Sequence, residues 1–199
     1  MSLPLSIVIP LRSGANAYTT LRALGAQTFQ CFEICISQDE WGNANKARNA
    51  GMPLTSPSTE YLLFSDDDIV WKRDALMLMM ATLRNAPTAS YCYGTYEMGG
   101  RRYCDQVFDA RILERRNFIS TMSIIRRVDF PGWDEDLERL QDYGLWLRMW
   151  AESSKYGVHC GYVIFETAVR DGITRNGRVT YEQAFSIIQK KYLRRSVAS

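Results

Sequence analysis

The first half of the sequence alternates short apolar runs with segments of helical periodicity. Three such runs cover residues 5–9, 33–37 and 61–65. The first lacks regular polar alternation and stops at Pro10, which predicts a strand covered on both faces, and the second is interpreted as another buried strand. After the third run, apolar residues at helical spacing predict a helix: Leu76, Met79, Met80 and Leu83. This alternation is typical of right-handed βαβ units, so we expect an α/β fold with a mostly parallel sheet flanked by helices.

The second half is less regular and predicts a small antiparallel element. Residues 91–97 and 101–108 flank Gly99-Gly100, a pair typical of a hairpin turn. Two further strand candidates follow, at residues 120–125 and 162–169.

Two helices are expected in the same half. Asp142 begins the first, and its apolar face is formed by Leu145, Trp146, Met149 and Trp150. The second covers residues 181–193 and is expected to pack back on the rest of the chain. A length of 199 residues suits a single domain with one main core.

The composition excludes several classes of protein. With 46% hydrophobic and 23% charged residues the chain is too apolar to be disordered. A net charge of +2 provides no global field for nucleic acid. No stretch approaches the roughly 20 apolar residues of a transmembrane helix, and the first residues do not resemble a signal peptide. We therefore expect a soluble, cytoplasmic protein with no nucleic-acid partner, whose oligomeric state the sequence leaves open.

The cysteines and the histidine argue against a zinc site. The sequence has five cysteines, with no Cys-x-x-Cys pair, and a single histidine, His159. Zinc sites need closer ligand spacing than this. Buried free thiols in a reducing compartment are the simpler interpretation, and His159 is expected to be a packed or surface residue rather than a catalytic one.

The acidic cluster Asp66-Asp67-Asp68 directly follows the third strand. Ligands bind beyond the carboxyl ends of strands in open α/β sheets, so the cluster stands at a candidate site. Three adjacent carboxylates repel one another unless a cation or hydrogen-bond donors compensate them. Mn²⁺ or Mg²⁺ suits one or two carboxylates plus substrate phosphates. The alternative is a solvated turn in which Asp67 or Asp68 caps the next helix.

The order of several motifs resembles family 2 glycosyltransferases of the GT-A fold, across roughly residues 5–175. The matching segments are residues 6–10, 27–29, 33–39, 47–51, 61–69, 133–135 and 141–148. The resemblance implies a single GT-A domain that transfers a sugar, with inversion, from a nucleoside-diphospho-sugar to a hydroxyl of a saccharide or other acceptor, as in polysaccharide biosynthesis. A UDP-sugar is the donor most typical of the family. The expected parts are a donor-binding half at about 1–98, an acceptor-binding and catalytic half at about 99–178 and a C-terminal helix at about 179–199.

The resemblance also implies roles in donor binding. Asp39 matches the carboxylate that accepts a hydrogen bond from the donor's base, and its alternative is a surface turn residue. Arg48 matches the Ala-Arg-Asn motif and is expected near the donor phosphates, unless it is an exposed helix arginine. Asp66 and Asp68 match an Asp-x-Asp signature and are the expected metal ligands, Asp68 the more direct one. Further donor-site residues are expected to be Pro10, Asp67 and Arg170.

The catalytic base implied by the resemblance is Asp142, which would take the proton of the acceptor hydroxyl. Its alternative role is a helix N-cap, and the two roles are compatible. Trp133, Asp134 and Glu135 are expected to line the acceptor site, because aromatic faces and carboxylates suit sugar rings and hydroxyls. A buried core tryptophan is the alternative for Trp133.

Two departures from the family pattern bear on the expected function. Gln38 stands where an acidic residue is common, and Gln141 replaces the usual glutamate, so base recognition and the tuning of Asp142 differ from the pattern. A sugar nucleotidyltransferase is the rival enzyme, but no Gly-rich phosphate loop follows the first strand. A non-catalytic nucleotide-sugar-binding module is the other alternative.

Overall fold

A curled sheet of eight strands organises the computed structural model, which describes residues 3–168 and 179–193. The strands are β1 (Leu5–Arg12), β2 (Phe32–Asp39), β3 (Tyr61–Phe64), β4 (Val70–Trp71), β5 (Tyr91–Met98), β6 (Arg101–Tyr103), β7 (Ile124–Arg126) and β8 (Gly157–Thr167). The helices are α1 (Tyr18–Gly25), α2 (Ala44–Gly51), α3 (Ala75–Asn85), α4 (Ala110–Leu113), α5 (Gln141–Ser153) and α6 (Tyr181–Tyr192).

The strand order is β2-β1-β3-β7-β5-β8-β4, and β6 pairs with β5. β1 pairs in parallel with β2 and β3, and β5 pairs in parallel with β8. Between these groups lies the short β7, antiparallel to both β3 and β5. Because the chain direction reverses from β3 to β7 and again from β7 to β5, five strands end at the same edge of the sheet: β1, β2, β3, β5 and β8. The predicted α/β domain with a mostly parallel sheet and a small antiparallel element is confirmed.

The sheet is covered on both faces in its centre. Alternate residues of β3 point to opposite sides: Tyr61 and Leu63 join one apolar cluster, Leu62 and Phe64 the other. α1 and α3 cover the first face, and the four predicted apolar residues of α3 are all buried. α4, α5 and α6 contribute to the second cluster. The prediction that α6 packs back on the domain is confirmed by its buried residues Ala184, Ile188 and Tyr192.

Two expectations about the first strands are wrong. Pro10 does not end β1, which continues to Arg12. β3 pairs with β1 only as far as Val8, so Pro10 lies where β1 has a single neighbour and a missing N–H is tolerated. β2 is not buried on both faces, because it is the edge of the sheet and Ile34 and Ile36 are 37% and 39% exposed.

Two other strand boundaries differ from the predicted ones. Strand pairing in the predicted 120–125 segment is confined to β7, and the last strand starts earlier than expected, at Gly157. The hairpin turn is confirmed, because Gly99 and Gly100 take φ of 57° and 74°, the left-handed pair that a tight hairpin turn requires. Its second strand is shorter than predicted and ends at Tyr103 rather than at residue 108, since the next residue, Cys104, leaves the extended conformation with φ of 59°. In the described ranges, no helix has the length and apolar character needed to cross a membrane.

Candidate active site

A cleft of about 620 Å³ opens at the edge where the parallel strands end. Asp66 and Asp68, from the loop after β3, line it together with Asp142 from the first turn of α5. The opposite wall comes from the β5–β6 hairpin, the residues after it and the end of β8, including Tyr96, Tyr103, Gln106, Asn117, Ser120 and Phe165. The cleft therefore brings together carboxylates that are far apart in the sequence.

The acidic loop is held by hydrogen bonds to its backbone. The buried Thr20 hydroxyl of α1 accepts from the Ile69 amide at 2.8 Å and donates to the Asp66 carbonyl at 2.9 Å. The Ser65 hydroxyl also donates to that carbonyl, at 3.1 Å, and accepts from the Trp71 indole N–H at 3.1 Å. These contacts fix the chain between β3 and β4 without using a carboxylate of the acidic cluster.

The charges of this loop are only partly compensated by the fold. Burial, followed by the negative charges of Asp68 and Asp66, raises the pKa of the Asp67 carboxyl above its ordinary value. Within residues 3–168 and 179–193, no group of three or more histidine, cysteine, aspartate or glutamate side chains is arranged to hold a metal. Asp66 and Asp68 instead offer hard oxygen ligands beside an open cleft. This donor set fits Mg²⁺ or Mn²⁺, which typically complete their coordination with phosphate oxygens and water.

Arg48 lies behind the acidic loop, so the exposed-arginine interpretation is wrong. Its side chain is buried, and Nη2 donates to Asp66 Oδ1 at 3.0 Å. Nη1 donates to Asn45 Oδ1 at 3.1 Å and to Gln141 Oε1 at 3.3 Å, and the guanidinium carbon lies 4.7 Å from the centre of the Trp133 ring. Arg48 joins α2, the acidic loop and the start of α5, and it is not among the residues that line the cleft.

Asp142 is fixed by two hydrogen bonds. Its Oδ2 accepts from Asn117 Nδ2 at 2.7 Å, and its Oδ1 accepts from the Tyr143 amide at 2.9 Å. The Asn117 side chain is itself oriented by the Ile119 amide, which donates to Asn117 Oδ1 at 3.1 Å. The N-cap of α5 is Leu140, so Asp142 is not the capping residue.

The ionisation of Asp142 is disfavoured by its surroundings. Burial raises the pKa of its carboxyl, although the two hydrogen bonds and the charge of Arg48 oppose the rise. A carboxylate with a raised pKa is a stronger proton acceptor than an ordinary aspartate. The position therefore has the properties that a general base requires.

Asp39 and Pro10 lie at the same edge, on the outer strands β2 and β1. Asp39 is half-buried, and its Oδ1 accepts from the amides of Trp41 and Asn43, each at 3.1 Å. This is the pattern of an aspartate that shapes its own turn. Neither Asp39 nor Pro10 lines the cleft, which begins at the acidic loop after β3.

The three residues expected at the acceptor site lie outside the cleft. Trp133 is 3% exposed and packs edge-on against Phe64, so its ring is a core residue, as the alternative interpretation holds. Asp134 binds Lys191 at 2.7 Å, and Glu135 Oε1 accepts from Asn49 Nδ2 at 2.8 Å. Trp133 and Glu135 thus contact α2 through Asn49, and Asp134 contacts α6 through Lys191. The remaining predicted residue, Arg170, lies outside the described residues.

Several cleft residues were missed by sequence reasoning. Asn117 comes from an irregular segment with no periodic pattern, so no local signal marks it. Tyr96 and Tyr103 stand on either side of the Gly99-Gly100 turn, and their equal spacing from it is a signal that could have paired them. His159 does not line the cleft; its Nε2 lies 3.2 Å from Thr95 Oγ1.

Comparisons with solved structures identify the fold. Staphylococcus aureus TarS 1-349 in complex with UDP-GlcNAc matches with a TM-score of 0.72 and 15% identity over 92% of this chain and 64% of that one. The catalytic domain of Drosophila β1,4-galactosyltransferase 7, in complex with xylobiose, matches with a TM-score of 0.60 and 13% identity over 94% and 79%. In the match to the UDP-GlcNAc complex the chain spans less than two thirds of the length of TarS 1-349, and it spans 43% of the longer TarS chain. No protein-family model and no curated protein sequence matches. The likeness establishes a GT-A-like glycosyltransferase fold.

Proposed function

We propose that this protein is an inverting, metal-dependent glycosyltransferase that uses a nucleoside-diphospho-sugar. The observation that carries the proposal is the convergence of Asp66, Asp68 and Asp142 on one cleft at the carboxyl edge of the sheet. Open α/β sheets bind ligands at this edge. The matched structures support a UDP-sugar in particular, because TarS was solved with UDP-GlcNAc and with UDP.

The donor is proposed to lie along the carboxyl edge from β2 towards β3. Asp39 would accept a hydrogen bond from the base through the carboxylate oxygen that the turn does not use, with Pro10 alongside. A divalent cation would be held by Asp66 and Asp68 together with diphosphate oxygens, and when bound it supplies positive charge that stabilises the departing diphosphate. Residues up to about 98 would then form the donor-binding half.

Arg48 is proposed to support this site from behind. Its buried guanidinium orients Asp66 and links the acidic loop to Gln141 at the start of α5. Gln141, which departs from the family pattern, serves as an acceptor for Arg48 that adds no charge. A glutamate there would add a second negative charge near Asp142.

The chemical step depends on Asp142. The acceptor hydroxyl oxygen attacks the anomeric carbon, the bond from that carbon to the diphosphate oxygen breaks, and the hydroxyl proton passes to the Asp142 carboxylate. Attack opposite the leaving group inverts the anomeric configuration. Asn117 and the Tyr143 amide hold the carboxylate in place, and burial strengthens it as a base.

The proposal is tested with a panel of UDP-, GDP- and dTDP-sugars. Release of nucleoside diphosphate is measured with Mn²⁺, with Mg²⁺ and with excess EDTA. We expect release from at least one UDP-sugar that needs metal and disappears with EDTA. Binding of a nucleotide-sugar without turnover under any of these conditions would favour the non-catalytic binding module. Absence of both binding and turnover would overturn the proposal.

A further inference from the structure

Four aromatic rings from four strands form a continuous ladder beside the acidic loop. Trp71 of β4 is paired with Phe165 of β8, Phe165 with Tyr96 of β5, and Tyr96 with Tyr103 of β6. Ring centres are 5.7 Å apart for Trp71 and Phe165, 4.9 Å for Phe165 and Tyr96, and 5.1 Å for Tyr96 and Tyr103. The last two pairs are stacked, with interplanar angles of 4° and 16°. The register of the sheet thus builds a stack that ends at Tyr103.

The Tyr103 end of the ladder is open. β6 pairs only with β5 among the described strands, so it is an edge of the sheet. Tyr103 is half-buried, lines the cleft, and stacks on no ring other than Tyr96 in the part of the chain that the structure describes. A planar apolar face at the edge of a polar cleft suits the C–H face of a sugar ring.

A buried hydrogen-bond donor lies in the same wall. Gln106 lines the cleft, and its Oε1 accepts from Arg116 Nη2 at 3.1 Å. Because a guanidinium only donates, this contact fixes which end of the amide is oxygen. The Nε2 group is buried and has no hydrogen-bond partner among residues 3–168 and 179–193. The Ser120 hydroxyl, also in the cleft wall, is likewise buried and has no hydrogen-bond partner among the described residues.

Such groups point to a ligand because leaving them unpaired is costly. A buried polar group without a partner loses roughly 1–3 kcal/mol. Hydroxyl groups of a carbohydrate both donate and accept, so they satisfy an amide N–H and a serine hydroxyl. The open ring and the unpaired amide come from the same hairpin and the loop that follows it.

The position of this wall separates it from the proposed donor site. Asp39 lies at the end of β2, the acidic loop follows β3, and the aromatic ladder runs across β4, β8, β5 and β6. Along this edge of the sheet, the proposed nucleobase site comes first, the proposed diphosphate site second and the aromatic ladder last. Asp142 faces this part of the cleft too: after burial, its charge is among the causes that raise the pKa of Tyr96.

We propose that Tyr103 and Gln106 form the acceptor subsite, with a carbohydrate ring stacked on the outer face of Tyr103 and a hydroxyl bound to Gln106 Nε2. The role of this subsite as the acceptor site rests on the proposed function. It places acceptor binding on the β5–β6 hairpin rather than at Trp133, Asp134 and Glu135. A saccharide bound here would lie on the Asp142 side of the acidic loop, where the attacking hydroxyl is needed.

The test measures binding of methyl β-glycosides of glucose, galactose, N-acetylglucosamine and xylose to the full chain, with UDP and Mn²⁺ present, by saturation-transfer NMR. We expect at least one glycoside to bind. Tyr103→Ala should weaken that binding about tenfold and Gln106→Ala roughly fivefold, while Tyr103→Phe keeps the ring and the affinity. Tyr162→Ala is the matched control, because Tyr162 is 53% exposed on β8 and does not line the cleft.

The outcomes separate this inference from the proposed function. If no glycoside binds, or if Tyr103→Ala and Gln106→Ala both bind as the unaltered protein does, the subsite is wrong whatever UDP does. If glycosides bind through Tyr103 but UDP does not bind in a parallel calorimetric titration, the carbohydrate site stands and the proposed transferase function fails. Melting temperatures of all variants show whether a loss of binding reflects a loss of folding, and Gln106→Ala provides a second contact to test if Tyr103→Ala unfolds.

Discussion

Two acidic segments of this protein look alike in sequence and differ in the fold. Asp66-Asp67-Asp68 follows β3, and Trp133-Asp134-Glu135 precedes α5. In the second segment, Lys191 binds Asp134 at 2.7 Å and the Tyr192 hydroxyl donates to the same carboxylate. Burial opposes ionisation of Asp134, but these hydrogen bonds hold its pKa below the ordinary value.

In the Asp66-Asp67-Asp68 segment the pKa shift has the opposite direction. Asp66 Oδ1 accepts from the buried Arg48, and Thr20 and Ser65 hold the loop through its backbone, yet burial and the neighbouring negative charges still raise the pKa of Asp67. The comparison teaches that acidic character alone does not mark a ligand site. Asp134, whose charge Lys191 balances, holds elements together, whereas the three-carboxylate cluster, whose charge Arg48 balances only in part, lies beside a cleft and is suited to a cation and a phosphate.

We expect the largest loss of activity from a change at Asp142, the proposed catalytic base. Asp142→Asn should lower kcat at least about 100-fold, because the amide cannot accept the proton of the acceptor hydroxyl, while leaving donor binding unchanged. Kinetics and a UDP titration measure the two effects. Asp136→Asn, at an 86% exposed side chain, is the control. A kcat within a few-fold of the unaltered protein would assign the base elsewhere.

Arg48→Met breaks the link behind the acidic loop. Removing the buried guanidinium leaves acceptors on Asp66, Asn45 and Gln141 without their donor, and we expect a loss of about 3 kcal/mol in the free energy of unfolding. Urea denaturation measures it, with Arg111→Met on the exposed surface of α4 as the control. A change no larger than that of the control would show that Arg48 does not hold the site together.

Asp134→Asn tests the neutralised segment. We expect unchanged turnover and a loss of about 2 kcal/mol in stability at neutral pH, because Lys191 and Tyr192 lose a charged acceptor. Since the folded-state pKa of Asp134 is lowered, its contribution is present above the ordinary aspartate pKa and lost as the pH falls through the folded value. The stability gap between the two proteins should therefore narrow on acidification. A variant that loses turnover but not stability would reverse the assignment of the two segments.

The smallest expected effect concerns the tuning of Asp142. Transfer should fail as the pH falls through the raised pKa of this carboxyl, which gives the pH profile of kcat an acid limb. Asn117 donates to the charged carboxylate and lowers that pKa. Asn117→Ala should therefore move the acid limb to higher pH. An unmoved limb would mean that the limb belongs to another group.

Much of the fold follows from the sequence because its signals are local. The apolar run before Asp66 predicts β3, the spacing in residues 75–85 predicts α3, and Gly99-Gly100 predicts the hairpin. The edge position of β2 could not be predicted, since β-branched residues favour a strand whether or not a helix covers it. The continuation of β1 beyond Pro10 could not be predicted either, because it depends on where the neighbouring strand β3 stops.

The candidate site was predictable only in part. Asp66, Asp68 and Asp142 were expected to meet, and they line one cleft. The neutralisation of Asp134 depends on Lys191, 57 positions later, which no local pattern reveals. Tyr103, Gln106 and Asn117 lie in short or irregular segments whose arrangement is set by strand register and loop packing.

We propose that the Asp66–Asp68 loop binds a cation and a diphosphate, whereas the Asp134 segment is structural. Calorimetric titration of UDP into the unaltered protein and into the Asp68→Asn and Asp134→Asn variants, each with and without Mn²⁺, distinguishes the two segments. We expect UDP binding that requires Mn²⁺, is lost in Asp68→Asn and is kept in Asp134→Asn. Equal affinity with and without Mn²⁺, or equal affinity of the Asp68→Asn variant and the unaltered protein, would contradict this proposal.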